Sequence, residues 1–268
     1  MSLPVGFVEL LDACRENRLN DVERLLTRDS FLAISSDFDG LTALHVACAA
    51  GNLRLVKLLL KRKPLLDSRT VDSATPLCEA VANGHADVAR VLLEHDASVN
   101  LPCQLATALH DAAASGSLEC VRLLLSYRAA INVSDCWHGT PLHAACVSGH
   151  ADVAAELLHA GALVRARMIH RTALHCVAQL HPTRIDLAAV LLAYGADCTA
   201  RDNNNRTPAD LVSEDHPELK SILQHLSTQP RSLRTLCTIA IRKNQYHGIQ
   251  CLPATVQAKI RDLQKIEL

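Results

Sequence analysis

The chain has 268 residues and a formal net charge of −1, and hydrophobic residues make up 49% of it, enough for a continuous core. Aromatic residues are only 3% of the chain, which excludes a core built on large rings. The core must therefore consist of Ala, Leu and Val, a mixture that suits closely packed helical repeats better than a globular interior.

The amino terminus lacks the features of a secretory signal, because it has no basic leading segment and Glu9 and Asp12 interrupt its apolar stretch. No apolar run approaches the roughly 20 residues that cross a bilayer. We therefore expect a soluble cytoplasmic protein, with the nucleus as a possible second compartment and with no membrane partner. Its eleven cysteines are then reduced thiols, and disulfides are not expected.

A motif that begins with threonine recurs along the chain at intervals of 33, 32, 33, 32 and 35 residues. Its copies are TALHVA at Thr42, TPLCEA at Thr75, TALHDA at Thr107, TPLHAA at Thr140, TALHCV at Thr172 and TPADLV at Thr207. A second apolar pattern follows twelve residues after each of the first four threonines and fourteen after the fifth. It reads RLVKLLL, DVARVLL, ECVRLLL, DVAAELL and DLAAVLL.

Both patterns repeat apolar residues at i, i+3, i+4 and i+7, so each unit contains two amphipathic helices. The glycines that provide the tight turn between them are Gly51, Gly84, Gly116 and Gly149. The period and the TPLH signature resemble the ankyrin repeat over about residues 7 to 228. In that family the threonine caps the first helix and the proline lies in its first turn, which is the expected chemistry of a helix start.

An offset of 34 residues also aligns the segment from Leu10 with the segment from Leu44, which adds a degenerate first repeat. The predicted fold is therefore all-α, an ankyrin-repeat solenoid of about six repeats in a domain of residues 1–228. A truncated capping repeat runs from about Asn203 to Leu226. Its polar start suits a unit that has no further neighbour to pack against.

Histidine recurs inside the motif, and two of the four lie one helical turn from a cysteine, which could suggest a metal array. The four are His45, His110, His143 and His175. By the resemblance, this histidine forms hydrogen bonds between neighbouring helical hairpins, so neither a metal nor another cofactor is expected. The cysteines Cys48, Cys120, Cys146 and Cys176 lie on apolar helix stripes and are predicted to be core residues.

No phosphate loop, nucleophile motif or HExxH sequence is present, and the chain is not expected to be an enzyme.

In ankyrin folds the loops between repeats form fingers beside the concave face. The predicted fingers are SDFDGL from Ser36, TVDSA from Thr70, PCQLA from Pro102, DCWHG from Asp135, MIHR from Met168 and RDNNNR from Arg201. Large apolar groups on two neighbouring fingers predict a patch that binds a substrate protein, formed by Trp137, His138, Met168, Ile169 and His170. The alternative is that the tryptophan folds back over its own repeat junction.

The last forty residues form a second predicted domain, residues 229–268, which contains seven basic and two acidic side chains. A helix from Arg231 has one apolar stripe, and its SLxxLCxxxI pattern resembles the elongin-binding helix of a SOCS box. The resemblance implies that elongin is bound by Leu233, Leu236, Cys237 and Ile241. Leu252 and Pro253 are similar to the cullin-selecting LPxP motif. The match departs at Thr255, where the family often has a second proline, so the choice of cullin is less defined than elongin binding.

The complete chain thus resembles the ankyrin-repeat and SOCS-box family. The resemblance implies a substrate-recognition adaptor of a cullin-RING ubiquitin ligase, with elongin B, elongin C, a cullin-RING scaffold and an unidentified substrate protein as partners. The alternative is an ankyrin scaffold or inhibitor whose terminal helices recruit nothing. A nucleic-acid or membrane contact by the basic terminal segment fits poorly, because an apolar stripe interrupts the charges and no aromatic platform accompanies them.

We predict that Trp137→Ala leaves the fold intact and weakens binding of the target protein by about 2 kcal/mol, the effect of removing an interface hot spot. Target affinity and thermal unfolding should be measured on the same preparation. Unchanged affinity with a large drop in melting temperature would assign the tryptophan to the repeat junction instead.

Overall fold

The computed structural model describes residues 4–101, 106–135, 139–181, 184–214 and 216–228. Within them the chain forms consecutive pairs of short antiparallel helices, and it separates into two units, Met1–Ala130 and Ile131–Leu268. Each described unit is a stack of helical hairpins. No helix in the described ranges is long and apolar enough to span a membrane.

The first unit contains four helical hairpins. Their helices are α1 (Phe7–Arg15), α2 (Leu19–Arg28), α3 (Ala43–Ala49), α4 (Leu53–Leu60), α5 (Pro76–Ala82), α6 (Ala86–Glu94), α7 (Ala108–Ser115) and α8 (Leu118–Ser126). A 3-10 helix over Ser30–Ala33 follows α2. The first helices of the hairpins, α1, α3, α5 and α7, contact one another in succession and form an inner row. The second helices α4, α6 and α8 form an outer row in the same way.

The second unit continues the pattern with two full hairpins and a shortened one. Its helices are α9 (Pro141–Ser148), α10 (Ala151–His159), α11 (Ala173–Ala178), α12 (Ile185–Ala193), α13 (Pro208–Leu211) and α14 (Pro217–Thr228). Between α10 and α11, β1 (Arg167–Met168) pairs antiparallel with β2 (Arg171–Thr172). This hairpin departs from the all-α prediction, because a two-residue turn lets the finger close as a short ladder. The six repeats and the shortened last one are confirmed.

The recurring threonine begins the first helix of every hairpin from α3 onward, as predicted, whereas α1 begins after Gly6. Thr42, at the start of α3, has extended backbone angles, and its hydroxyl oxygen accepts a hydrogen bond from the backbone N–H of His45. Such a cap satisfies one of the four free N–H groups at a helix start and stabilises the helix by about 1 kcal/mol. The proline of the TPL copies lies in the first turn, where no N–H is needed.

The predicted turn glycines all have left-handed backbone angles, with φ of 66°, 75°, 75° and 79° for Gly51, Gly84, Gly116 and Gly149. In α9 the left-handed cap lets the backbone N–H of Gly149 donate to the carbonyl of Cys146. Glycine adopts this conformation with little strain, which favours a direct turn into the second helix, although Asn17 makes the corresponding turn of the first hairpin with φ of 56°.

The core consists of aliphatic side chains, as the composition predicts. Fully buried examples from both units are Leu44, Leu59, Leu92, Leu124 and Leu142. Burying one leucine contributes about 2 kcal/mol, so each hairpin depends on the neighbours that cover its apolar face. The predicted boundary between residues 228 and 229 lies where the described residues end, and it stays a prediction.

We predict that Gly149→Val lowers the free energy of unfolding by about 2 kcal/mol, because a β-branched residue is strained at φ of 79°. The nearest atoms to an added Cβ belong to Arg184 and Leu180 at 3.6–3.9 Å, so crowding adds little. Denaturant unfolding measures the effect. Ser148→Val, at the adjacent exposed helical position, is the matched control and should cost far less. Equal losses in the two variants would contradict the backbone explanation.

Candidate functional site

The histidine of the motif links one helical hairpin to the next. His45 Nδ1 accepts a hydrogen bond from the backbone N–H of Thr42 at 3.2 Å, which leaves the proton on Nε2. Nε2 then donates to the carbonyl of Ala74 in the following repeat, also at 3.2 Å. Burial lowers the pKa of His45, since the charged ring would lose its hydration. The residue is therefore a neutral structural link.

His175 repeats the arrangement in the second unit. Its Nδ1 accepts from the N–H of Thr172 at 3.2 Å and its Nε2 donates to the carbonyl of Arg206 at 3.2 Å. The one ligating lone pair of this neutral ring, on Nδ1, accepts the Thr172 N–H, so it is not available to a metal. Across the described ranges, no three His, Cys, Asp or Glu side chains are grouped so that they could hold a metal ion. The hydrogen-bonding interpretation of these two histidines is confirmed.

The cysteines of the repeats are buried thiols. The seven described as free and buried are Cys14, Cys48, Cys78, Cys120, Cys146, Cys176 and Cys198. Burial raises the pKa of Cys14 to about 12 and that of Cys176 to about 11. Both are protonated at neutral pH and act as small apolar core groups, as predicted for the stripe cysteines.

In two of the fingers, one in each unit, an aspartate side chain at the second position closes the loop. Asp37 Oδ1 accepts the backbone N–H groups of Asp39 at 3.0 Å and Leu41 at 2.8 Å. Asp202 Oδ1 accepts those of Asn204 and Arg206, both at 2.9 Å, in the corresponding loop of the second unit. These side chains satisfy the backbone inside the loop, so the residues at the tip are free to face solvent.

The first two fingers present large apolar side chains to solvent. Phe38 is 74% exposed at the tip of the first finger and Val71 is 66% exposed at the tip of the second. The backbone N–H of Val71 donates to the carbonyl of Asp39 at 2.8 Å, so the two tips are joined. Two exposed apolar groups on linked fingers are typical of a surface that binds another protein.

A groove of about 350 Å³ lies beside these fingers. Its lining residues come from the first finger and from α1, α3 and α5, and they are Arg15, Leu41, His45, Val46, Ala49, Ala50 and Glu79. Small side chains on α3 leave the floor open, and the two charged residues come from the helices on either side. The groove is therefore mainly apolar, with one acidic group and one basic group.

The substrate patch predicted from the sequence lies in the second unit, where two of its five residues are outside the described ranges. These two are Trp137 and His138. The described three follow each other in the β1–β2 hairpin: Met168 is half-buried, Ile169 is 62% exposed and His170 is exposed. The hairpin contacts the base of the preceding finger, since a Cβ added to Gly139 would lie 2.6 Å from Met168 Cβ. The predicted substrate-binding role stays a prediction.

The tip of this hairpin is strained. Ile169 has φ of 44° and His170 has φ of 68°, although the two-residue turn they form favours Asn-Gly. Interactions at its base hold it in place. Arg167 Nη1 donates to the carbonyl of Arg201 at 3.2 Å, and Arg171 Nη1 donates to Gln179 Oε1 at 2.8 Å. A strained turn that exposes a large apolar side chain is a good candidate for a contact with a partner.

Sequence reasoning missed the first-unit surface formed by Phe38, Val71 and the groove. Phe38 and Val71 lie within predicted finger segments, and their large apolar character was the signal that could have identified them. The predicted elongin-binding residues Leu233, Leu236, Cys237 and Ile241, and the predicted cullin-binding residues Leu252 and Pro253, lie outside the described residues.

We predict that Ile169→Asn combined with His170→Gly raises the free energy of unfolding by about 1 kcal/mol, because both residues then suit positive φ. Thermal unfolding checks the direction. The control, Ile169→Ala with His170→Ala, removes the same large side chains but keeps the backbone strain, and should bring no comparable gain. Similar gains for both double variants would assign the effect to loss of exposed apolar surface.

Comparison with known proteins agrees with this geometry. The family model described as ankyrin repeats (3 copies) matches residues 10–103 and 102–168, more than half of the chain. The protein mask of Drosophila melanogaster, an ankyrin repeat and KH domain-containing protein, is 37% identical over 98 residues, which cover 35% of this chain and 2% of the relative. Mouse ankyrin repeat and SOCS box protein 5 is 38% identical over 104 residues, or 39% of this chain and 31% of the relative.

The chain thus spans less than a third of the length of these relatives. Among solved structures, the human ASB11 ankyrin repeat domain superimposes with a TM-score of 0.74 and 29% identity, covering 81% of this chain and 96% of that one. No catalytic family is indicated by these matches. The capped helix pairs, their inner and outer rows and the match over most of the described residues show that the protein belongs to the ankyrin-repeat family.

Proposed function

We propose that the protein is the substrate-recognition adaptor of an elongin B/C–cullin-RING ubiquitin ligase. The observation that carries the proposal is the SLxxLCxxxI sequence from Ser232 to Ile241, followed by Leu252 and Pro253, directly after an ankyrin-repeat array. An ankyrin surface would hold the target protein, and residues 229–268 would bind elongins B and C and a cullin. Similarity to ankyrin repeat and SOCS box protein 5 supports this assignment.

The proposed elongin contact is apolar. Leu233 and Cys237 are four residues apart, so on a helix they share one face, which also carries Leu236 and Ile241. Burying a leucine in a pocket of the partner contributes about 2 kcal/mol. In the same pocket a charged residue would lose its hydration without compensation, so the stripe tolerates only apolar side chains of limited size.

The ankyrin surfaces support the target-binding half of the proposal. In the first unit, Phe38 and Val71 are exposed on joined fingers beside an apolar groove. In the second, Ile169 is exposed on a strained hairpin tip. An adaptor that holds a target near the ligase accelerates ubiquitin transfer by proximity and needs no catalytic residue of its own. We place this activity in the cytoplasm, with the nucleus as the second candidate.

The alternative is an ankyrin scaffold or inhibitor that recruits no ligase. It is favoured by the extent of the curated matches, which cover less than two fifths of this chain and include a protein named for KH domains. The two functions differ in elongin binding, which can be measured directly.

We predict that Leu233→Pro with Cys237→Phe abolishes capture of elongins B and C, because proline breaks the helix and phenylalanine overfills the pocket. Co-purification from cells that express the tagged full chain, quantified by mass spectrometry, gives the readout. Target binding by the ankyrin repeats should survive, since they have their own core.

The matched control is Thr235→Phe, which adds the same bulk on the same predicted helix but off the apolar stripe, and should retain elongins. Cys237→Phe alone should lose most of them. If the double variant retains elongins at the level of the unsubstituted protein, the ligase proposal fails and the scaffold function takes its place.

A further inference from the structure

The groove of the first unit combines an apolar floor with an acidic group, Glu79, that forms no salt bridge with any described residue. Glu79 lies on α5, is half-buried, and has no salt bridge within the described part of the chain. Asn83 Nδ2 donates to the backbone carbonyl of Glu79 at 2.8 Å, so the carboxylate itself is not satisfied by this neighbour. Burial and the nearby charge of Asp72 both raise the pKa of Glu79.

The other polar groups of the groove are already engaged. Arg15 Nη1, the one cation among the lining residues, forms a salt bridge at 3.1 Å with Asp12, which does not line the groove. Burial lowers the pKa of His45 and favours its neutral form, and its ring nitrogens are hydrogen-bonded to Thr42 and Ala74. The α5 side of the groove therefore carries the negative charge of Glu79, and Asp72 of the second finger adds a second negative charge nearby.

The rest of the lining is apolar. It is formed by Leu41, Val46, Ala49 and Ala50, and Phe38 lies three residues before Leu41 on the first finger. A volume of about 350 Å³ accommodates one or two large side chains but not a folded domain. The shape thus favours a short segment of a partner that inserts side chains between the inner helices.

We propose that this groove binds a segment of a partner protein that places a lysine or arginine beside a large apolar side chain. The cation pairs with Glu79, while the apolar neighbour packs on Leu41, Val46 and Ala49. A purely apolar segment would cover the carboxylate without compensating for its lost hydration, and an acidic one would be repelled by Glu79 and Asp72. The identity of this partner as the target of ubiquitination rests on the proposed function. The binding chemistry of the groove is independent of that function.

A random peptide library displayed on phage, selected against the immobilised full chain, tests the inference. Selected peptides are expected to contain Lys or Arg adjacent to a large apolar residue. The tightest one, made with a fluorescent label, should bind the Glu79→Gln variant about tenfold more weakly, the loss of one partly buried charge pair. When the immobilised bait is the Glu79→Lys variant, the selection should no longer enrich basic peptides and should enrich acidic ones instead.

The matched control is Glu94→Gln at the exposed end of α6, outside the groove, which should bind the peptide with unchanged affinity. Glu79→Gln removes a charge that burial disfavours, so its melting temperature should not fall, and this is measured alongside. The inference is overturned if no basic preference emerges, if no peptide is selected, or if Glu79→Gln binds as tightly as the unsubstituted chain.

Elongin capture by the same preparations separates the two proposals. If peptide binding does not depend on Glu79 while elongins are still captured, only the groove inference is overturned. Failure of the unsubstituted chain to capture elongins overturns the ligase proposal and leaves the peptide result standing.

Discussion

The fold depends on a pair of hydrogen bonds made by one buried histidine. In His45, Nδ1 closes the cap of its own helix by accepting from Thr42, and Nε2 donates to Ala74 in the next repeat. The same ring thus fixes where a helix starts and where the next hairpin lies. A buried polar group without a hydrogen-bond partner destabilises a fold by roughly 1–3 kcal/mol. This ring avoids that penalty because it is neutral and both of its nitrogens are hydrogen-bonded. The last described hairpin replaces it with Asp210, which accepts from Thr207 and thus caps its helix but cannot donate onward.

The helix caps, the histidine hydrogen bonds between hairpins and the buried aliphatic stripes set the positions of the helices. The fingers are therefore not needed to pack the core. Their backbone needs are met locally by Asp37 in the first unit and Asp202 in the second. What stands at the tips can therefore vary without loss of the fold, and in this chain the tips carry Phe38, Val71 and Ile169. Binding chemistry is concentrated where the stability of the repeats is least affected.

The two units present different surfaces. The first joins fingertip apolar groups to a groove with an uncompensated acid, Glu79, whereas the second exposes Ile169 on a turn under backbone strain. Buried thiols such as Cys14 and Cys176 stay protonated, so they contribute packing instead of nucleophilic chemistry. An adaptor function fits this division, since shape and charge on an exterior surface select the partner and the interior only maintains the shape.

The sequence by itself determined the features that arise from neighbours along the chain: the threonine caps, the left-handed glycine turns such as Gly149, the repeat number and the aliphatic core. These depend on contacts within a few residues or on a strict period, so they can be read from spacing. Only the tertiary structure decided that Leu41 and Val46 share one groove with Glu79, because Glu79 comes from the next repeat. It also decided that Met168 packs against Gly139 and that Ile169 adopts a positive φ, since the hydrogen bonds of Arg167 and Arg171 to distant partners stabilise that finger. Long-range contacts of this kind leave no periodic signal in a sequence.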